Sequence, residues 1–233
     1  MTRGNSGMRD RILAAAGEVF ANEGLRAGGM DRIAARAGVT KRTIYYHFRS
    51  KDDLISAFLA EGDDAGCERL LGWMTSPRTS MRDGMGQIIH RIAQASAEPR
   101  WRGCGFLRAA FEFAELPGHP ARIMAAAHKR QLEAWMARRI ATEGLQDAEG
   151  RARSLMLVLD GLIAQLVVHR DIRYAAQALS MVQMVLSPDG AGAALPKAAT
   201  VTPTAPTMRR EVHRPVNCSE PMAAANRMAS EDP

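Results

Sequence analysis

The sequence predicts an all-α fold in two parts, a short N-terminal three-helix unit and a longer helical body. Two observations carry that prediction. Apolar residues recur at helical spacing from Met8 to Leu186, and no stretch alternates as a strand would. Glycine, proline, serine and threonine interrupt those runs where helices should start and stop. Composition agrees with both. Of 233 residues, 46% are hydrophobic and 24% charged, ordinary for a globular chain with room for one sizeable core or two small ones.

In the first helix Ile12, Ala16, Val19 and Phe20 share a face, and Gly24 marks the stop. A second, short helix sets Met30, Ile33, Ala34 and Ala37 at i, i+3, i+4 and i+7 before Gly38. Thr40 can cap a third helix that turns Ile44 and Phe48 inward. Ser50 can cap a fourth, with Asp52 and Asp53 in the first turn, where the helix dipole favours anions. Leu54, Phe58, Leu59, Leu70 and Leu71 prolong that fourth helix enough to join the two parts. Further helices are expected over 81–97, 105–116 and 120–142, with Gly118, Pro120 and Gly144 as breaks.

The last two helices, over 149–171 and 174–186, are the most apolar. In the first, Leu155, Leu159, Leu162 and Leu166 repeat at i, i+4, i+7 and i+11, and Met156, Ile163 and Val167 fill an adjacent stripe. A helix apolar on two faces has to be buried on both. The row of Leu155, Leu159, Leu162 and Leu166, continued by Leu179 and Val182, is therefore expected to form a homodimer interface. From Pro188 onward the chain holds seven of its eleven prolines and no aromatic residue. Such a segment buries too little to offset its ordering entropy, so 188–233 is expected to be a disordered tail.

No run is long and apolar enough to cross a membrane, because the stretch from Leu155 to Val168 is short and broken by Asp160, Gly161 and Gln165. Glu18 likewise interrupts the alanine-rich start, which reads as helix rather than signal peptide. Cys67, Cys104 and Cys218 are odd in number, far apart and without metal-ligand spacing, which fits the reducing cytoplasm. His90, His119, His128 and His169 show no ligand spacing either. No nucleophile–base set or phosphate loop is visible, so neither a catalytic site nor a metal or cofactor is expected.

The net charge of +6 is concentrated. Between Arg26 and Lys51 seven cations (Arg26, Arg32, Arg36, Lys41, Arg42, Arg49, Lys51) face one anion, Asp31, and the rest of the chain is neutral. That placement fits a polyanion partner and, equally, a solvated helix face. The third helix weights the choice. With Ile44 at zero on a wheel of about 100° per residue, Phe48 lies about 40° away, whereas Arg42 and Tyr46 fall opposite, flanked by Thr43 and Tyr45. Arginine can donate bidentately to guanine, threonine can meet a thymine methyl, and tyrosine can reach a phosphate. Lys51, opening the next helix, is placed for a phosphate.

Residues 33–54, IAARAGVTKRTIYYHFRSKDDL, resemble the signature of TetR-family transcriptional regulators, and Arg11-Ile12-Leu13, Ala15-Ala16, Phe20 and Gly24 resemble the family's first helix. The resemblance covers roughly the first 60 residues. It implies an Ω-shaped all-helical homodimer, a third helix in the major groove of a palindromic operator, and a C-terminal domain whose small-molecule effector weakens DNA binding. It adds Gly29, Thr40, Lys41 and His47 to the expected DNA-contacting residues. One departure stands out. Where the family usually caps its second helix with threonine or serine, this chain has Gly28-Gly29.

The implied domains are 7–52 for DNA binding, 53–187 for ligand binding and dimerisation, and 188–233 for the tail. Phe106, Phe111, Phe113, Met124, His128, Gln131, Trp135 and Gln165 are the candidate ligand-binding residues, with a role in the core as the competing reading. Two other functions stay open: an activator or architectural DNA binder whose body only dimerises, and a helical enzyme or ligand carrier.

Overall fold

The computed structural model describes residues 3–61 and 79–188, which form helices, turns and loops and no strand. In chain order these are α1 (Arg3–Glu23), α2 (Met30–Ala37), α3 (Lys41–His47), α4 (51–61), α5 (Met81–Ser96), α6 (Gly105–Glu112), α7 (Pro120–Thr142), α8 (Ala148–His169) and α9 (Arg173–Val185). The expected tail beyond 188, together with Leu70, Leu71, Cys67 and Cys218, lies outside the described residues.

The helix starts follow the local chemistry. Thr40 accepts a hydrogen bond from the Thr43 amide at 3.1 Å, and Ser50 accepts one from the Asp53 amide at 3.0 Å. Each satisfies an amide that the first helical turn would otherwise leave unpaired. Gly38 takes φ +61° and closes α2, its amide reaching back to the carbonyls of that helix. The helix over 105–116 is shorter than expected. It ends at Glu112, where Phe113 turns out of helical geometry and its ring stacks on His119 with centroids 3.7 Å apart.

The described residues divide into two compact units, 3–61 with 100–128 and 79–99 with 129–188. In the first, the core of the three-helix unit (Ile12, Phe20, Ile33, Ile44, Phe48, Leu54) runs on without a break into Phe106, Ala109 and Phe113 of α6 and into Ala121 and Ala125 of α7. A partition at 52/53 separates these groups; their packing does not.

In the second unit α5, α8 and α9 pack together. Leu155, Leu159, Leu162, Leu166 and Val182 are all buried within the chain itself, and half-buried Leu179 lies against the Gly86 position of α5. The expected dimer row is thus the inner face of its own bundle. Periodicity marks two apolar faces on this helix but does not reveal which of them is intramolecular. The opposite face of α8, at i, i+4, i+7 and i+11, carries Leu157, Gly161, Ala164 and Val168, all exposed. Met181 and Met184 are exposed on α9. By length and composition α8 is also the one described helix that could cross a membrane, yet its leucine row is packed against α5 and α9.

Candidate nucleic-acid interface

The third helix divides as its sequence requires. Ile44 and Phe48 are 0% and 2% exposed and anchor α3 in the core, whereas Tyr46 is 79% and Tyr45 48% exposed. Arg42 and Lys41 are exposed beside them, and Thr43 and His47 are half-buried. The Tyr46 and His47 rings meet edge to face at 5.2 Å. Thr40 and Thr43 share a hydroxyl contact at 2.9 Å, which fixes the start of the helix.

Two arginines of α1 hold the ends of α2 and α3. Arg11 of α1 donates through Nε to the Ala37 carbonyl at 2.7 Å and through Nη2 to the Gly38 carbonyl at 3.1 Å, capping the end of α2 and the turn into α3. Arg9 lies 5.3 Å over the Phe48 ring, a cation–π contact that ties α1 to the end of α3. Sequence reading grouped Arg11 with the first helix but did not find its task. An arginine flanking an apolar row was the available signal.

The basic segment is less free than its sequence count. Arg32 pairs with Glu23 at 2.7 Å, Arg36 pairs with Glu18, and Lys41 pairs with Asp31 at 2.8 Å. The hydrogen bond and charge of Asp31 hold the Lys41 ammonium above the usual lysine range. Lys51 donates to the Arg26 carbonyl at 2.6 Å. Burial there pushes its ammonium below the usual range, against the opposing charges of Asp52, Glu112 and Glu23. Among the described residues, Arg26, Arg42, Arg49 and Lys51 are the cations of this segment whose side chains make no ion pair, Lys51 being held by a neutral carbonyl. A window count could not see this, because Glu18 and Glu23 lie outside the window and reach it only across the α1–α2 packing.

Gly29 is the N-cap of α2, with φ −85° and ψ 143°, and a Cβ built on it would meet nothing within 4 Å. Gly28 differs. Its Cβ would come within 2.9 Å of both the Gly24 carbonyl oxygen and the Phe20 ring. Only Gly28 is required by packing.

The candidate ligand residues scatter. Phe106 and Phe113 are buried in the core shared with α1–α4, Met124 packs at its edge, and His128 is buried with its ring stacked on Phe106 at 4.0 Å. Phe111 is 70% exposed, because it lies about 140° around α6 from Phe106, off the inward row that Ala109 and Phe113 continue. Gln165 is exposed on α8. Among the described residues these two side chains line no interior. Gln131 and Trp135 are half-buried on the part of α7 that belongs to the second unit. Among the described residues no group of His, Cys, Asp or Glu could hold a metal ion.

Residues 12–58 match the family described as bacterial regulatory proteins, tetR family. The HTH-type transcriptional activator FasR of Mycolicibacterium smegmatis is 42% identical over 87 residues, a match that spans 34% of this chain and 40% of that protein. The uncharacterized HTH-type transcriptional regulator TtgW of Pseudomonas putida is 44% identical over 114 residues, spanning 38% of this chain and 85% of that one. Among solved structures, a TetR-family transcriptional regulator from Streptomyces coelicolor superposes with TM-score 0.68 and 32% identity, covering 78% of this chain and 95% of that chain. These relatives are regulators of transcription rather than enzymes, and this chain belongs to the TetR family of bacterial regulatory proteins.

Proposed function

We propose that the chain is a homodimeric, sequence-specific DNA-binding regulator, most simply a repressor that a small-molecule effector releases from a palindromic operator. The observation that carries the reading is the outer face of α3. Arg42, Tyr45 and Tyr46 stand exposed on a helix whose other face is locked in the core. Aromatic rings that burial would favour are left in solvent beside an unpaired arginine, an arrangement suited to a major groove. Thr40, Lys41, Thr43, His47, Gly29 and Lys51 are proposed as contacts to the DNA backbone. For Lys41 this means trading Asp31 for a phosphate, and for Lys51 adding a phosphate while one of its three N–H groups keeps the Arg26 carbonyl. Such a protein works in the cytoplasm, where its DNA is.

Dimerisation is proposed through the outer face of α8 and α9, with Leu157, Gly161, Ala164, Val168, Met181 and Met184 taking the role first given to the leucine row. The effector is proposed to act from the body, near Phe106 and His128. The activator reading has its own support, since one relative is named an activator.

The test is a titration of full-length chain on DNA from upstream of its own gene and on a scrambled duplex, at several salt concentrations. Lys51→Ala should weaken both duplexes alike and lower the log–log salt slope by about one per subunit. Arg42→Ala should weaken the operator alone, by about 1–3 kcal/mol. Equal losses on both duplexes for Arg42→Ala would make Arg42 a phosphate clamp, and no binding by the wild type would sink the reading. Transcription in vitro from the same promoter separates repressor from activator.

A further inference from the structure

The turn between α1 and α2 is gripped from two sides, and one grip comes from α6. The amide of Arg26 donates to Glu112 Oε2 at 2.8 Å, while the carbonyl of the same residue accepts from Lys51 Nζ at 2.6 Å. Glu112 Oε1 in turn accepts from Arg108 Nε at 2.9 Å, and Arg108 Nη2 donates to the Phe20 carbonyl in the last turn of α1. The carboxylate lies so close that a Cβ on Gly24, at φ +98°, would stand 3.0 Å from it. Both side chains are partly buried, at 26% and 21% exposure. A few residues on, His119 Nε2 lies 3.3 Å from Asp52 Oδ1 in the first turn of α4.

Helix energetics do not explain the Arg108–Glu112 pair. Glu112 is the last residue of α6, where the helix dipole disfavours an anion, and arginine precedes glutamate in the weaker i, i+4 order. What the pair reaches is the Phe20 carbonyl at the end of α1, which also accepts the Gly24 amide at 3.0 Å, and the Arg26 amide in the turn, both outside its own helix.

The geometry points to Arg108 and Glu112 as positioning residues for DNA binding: from α6 they fix the Arg26 peptide, and through it Lys51, in the place from which Lys51 reaches the DNA backbone. This rests on the DNA-binding reading above. Neither residue needs to touch DNA. A shift of α6 that pulls Glu112 from the Arg26 amide releases the turn and leaves Lys51 without the carbonyl that holds it in place.

The experiment is a double-mutant cycle between Glu112 and Lys51 in the full-length chain, read on a random-sequence duplex at several salt concentrations, with the melting temperature of each variant recorded. Glu112→Gln keeps the side-chain shape, so it serves where Glu112→Ala does not fold. We expect Glu112→Gln to weaken binding about tenfold, Lys51→Ala to do likewise, and the double variant to be no weaker than the worse single. The salt slope should fall by about one per subunit in all three.

A carboxylate that merely repels DNA makes the opposite forecast: Glu112→Gln would bind more tightly. A merely structural carboxylate would lower the melting temperature, and its effect on binding would add to that of Lys51→Ala. Tighter binding or additive losses overturn the inference and leave the DNA-binding reading intact. A Lys51→Ala variant that binds like the wild type also overturns it, because there is then no contact to position. A wild-type chain that binds no duplex overturns both.

Discussion

Gly28 and Gly29 stand side by side in the turn that enters α2, and they are not equivalent. A side chain at Gly28 would press on the Gly24 carbonyl and the Phe20 ring, while one at Gly29 meets open space in N-cap geometry. Gly28→Ala should destabilise the fold by about 1–3 kcal/mol through overpacking. Gly29→Ser should leave the melting temperature level or raise it slightly, since a serine cap gains a few tenths of a kcal/mol over glycine. Its hydroxyl also sits at a helix N-terminus suited to a phosphate, so DNA binding should tighten. Thermal melts and duplex titrations of the two variants check both statements, and equal losses in melting temperature would contradict them. The same scale governs the charges. Three of the seven cations in sequence are ion-paired in space, so the local field owes most to Arg26, Arg42, Arg49 and Lys51.

At the scale of elements, α8 separates two roles that one hydrophobic pattern had merged. Leu162 is 4% exposed on the inner row and Val168 is 70% exposed on the outer one. Leu162→Asp would bury an unpaired carboxylate and forfeit about 1.5–3 kcal/mol of side-chain burial, so it should unfold the chain rather than dissociate it. Val168→Asp removes nothing from the monomer's core and should yield folded monomers with weaker DNA binding. Circular dichroism with sedimentation velocity distinguishes the outcomes. A folded monomer from Leu162→Asp, or an unaltered dimer from Val168→Asp, would return the interface to another face. Helix α6 illustrates the same lesson. Phe106, Ala109 and Phe113 commit one face to the core, which leaves Phe111 outside regardless of its apolar character.

For the whole molecule, the continuity of one core across α1–α4, α6 and the start of α7 makes a statement about cooperativity. Phe20, Ile33, Leu54, Phe106 and Phe113 belong to one buried cluster, and Arg108 and Glu112 add polar ties to α1 and its turn. Elements that share a core open together. Native-state hydrogen exchange should therefore give the amides of α2 and α6 the same opening free energy, with no separate, weaker unit formed by α1–α3 alone. Exchange of α2 at markedly lower free energy than α6 would show the three-helix part opening by itself.

The sequence by itself determined the helices, their caps and the split of α3 into a core face and an outer face. Those features depend on residues within about one turn of one another: Thr40 with Thr43, Ser50 with Asp53, and Ile44 with Phe48 against Tyr46. It was also enough to identify the family, because the 33–54 string is local. Only the tertiary structure decided which of two apolar faces of α8 is internal, that Glu18 and Glu23 neutralise Arg36 and Arg32, and that Glu112 holds a peptide 86 residues away. The reason is one of range. Periodicity records that a face must be buried and charge counts record that ions are present, but the partner in each case comes from a distant part of the chain, and folding alone brings it there.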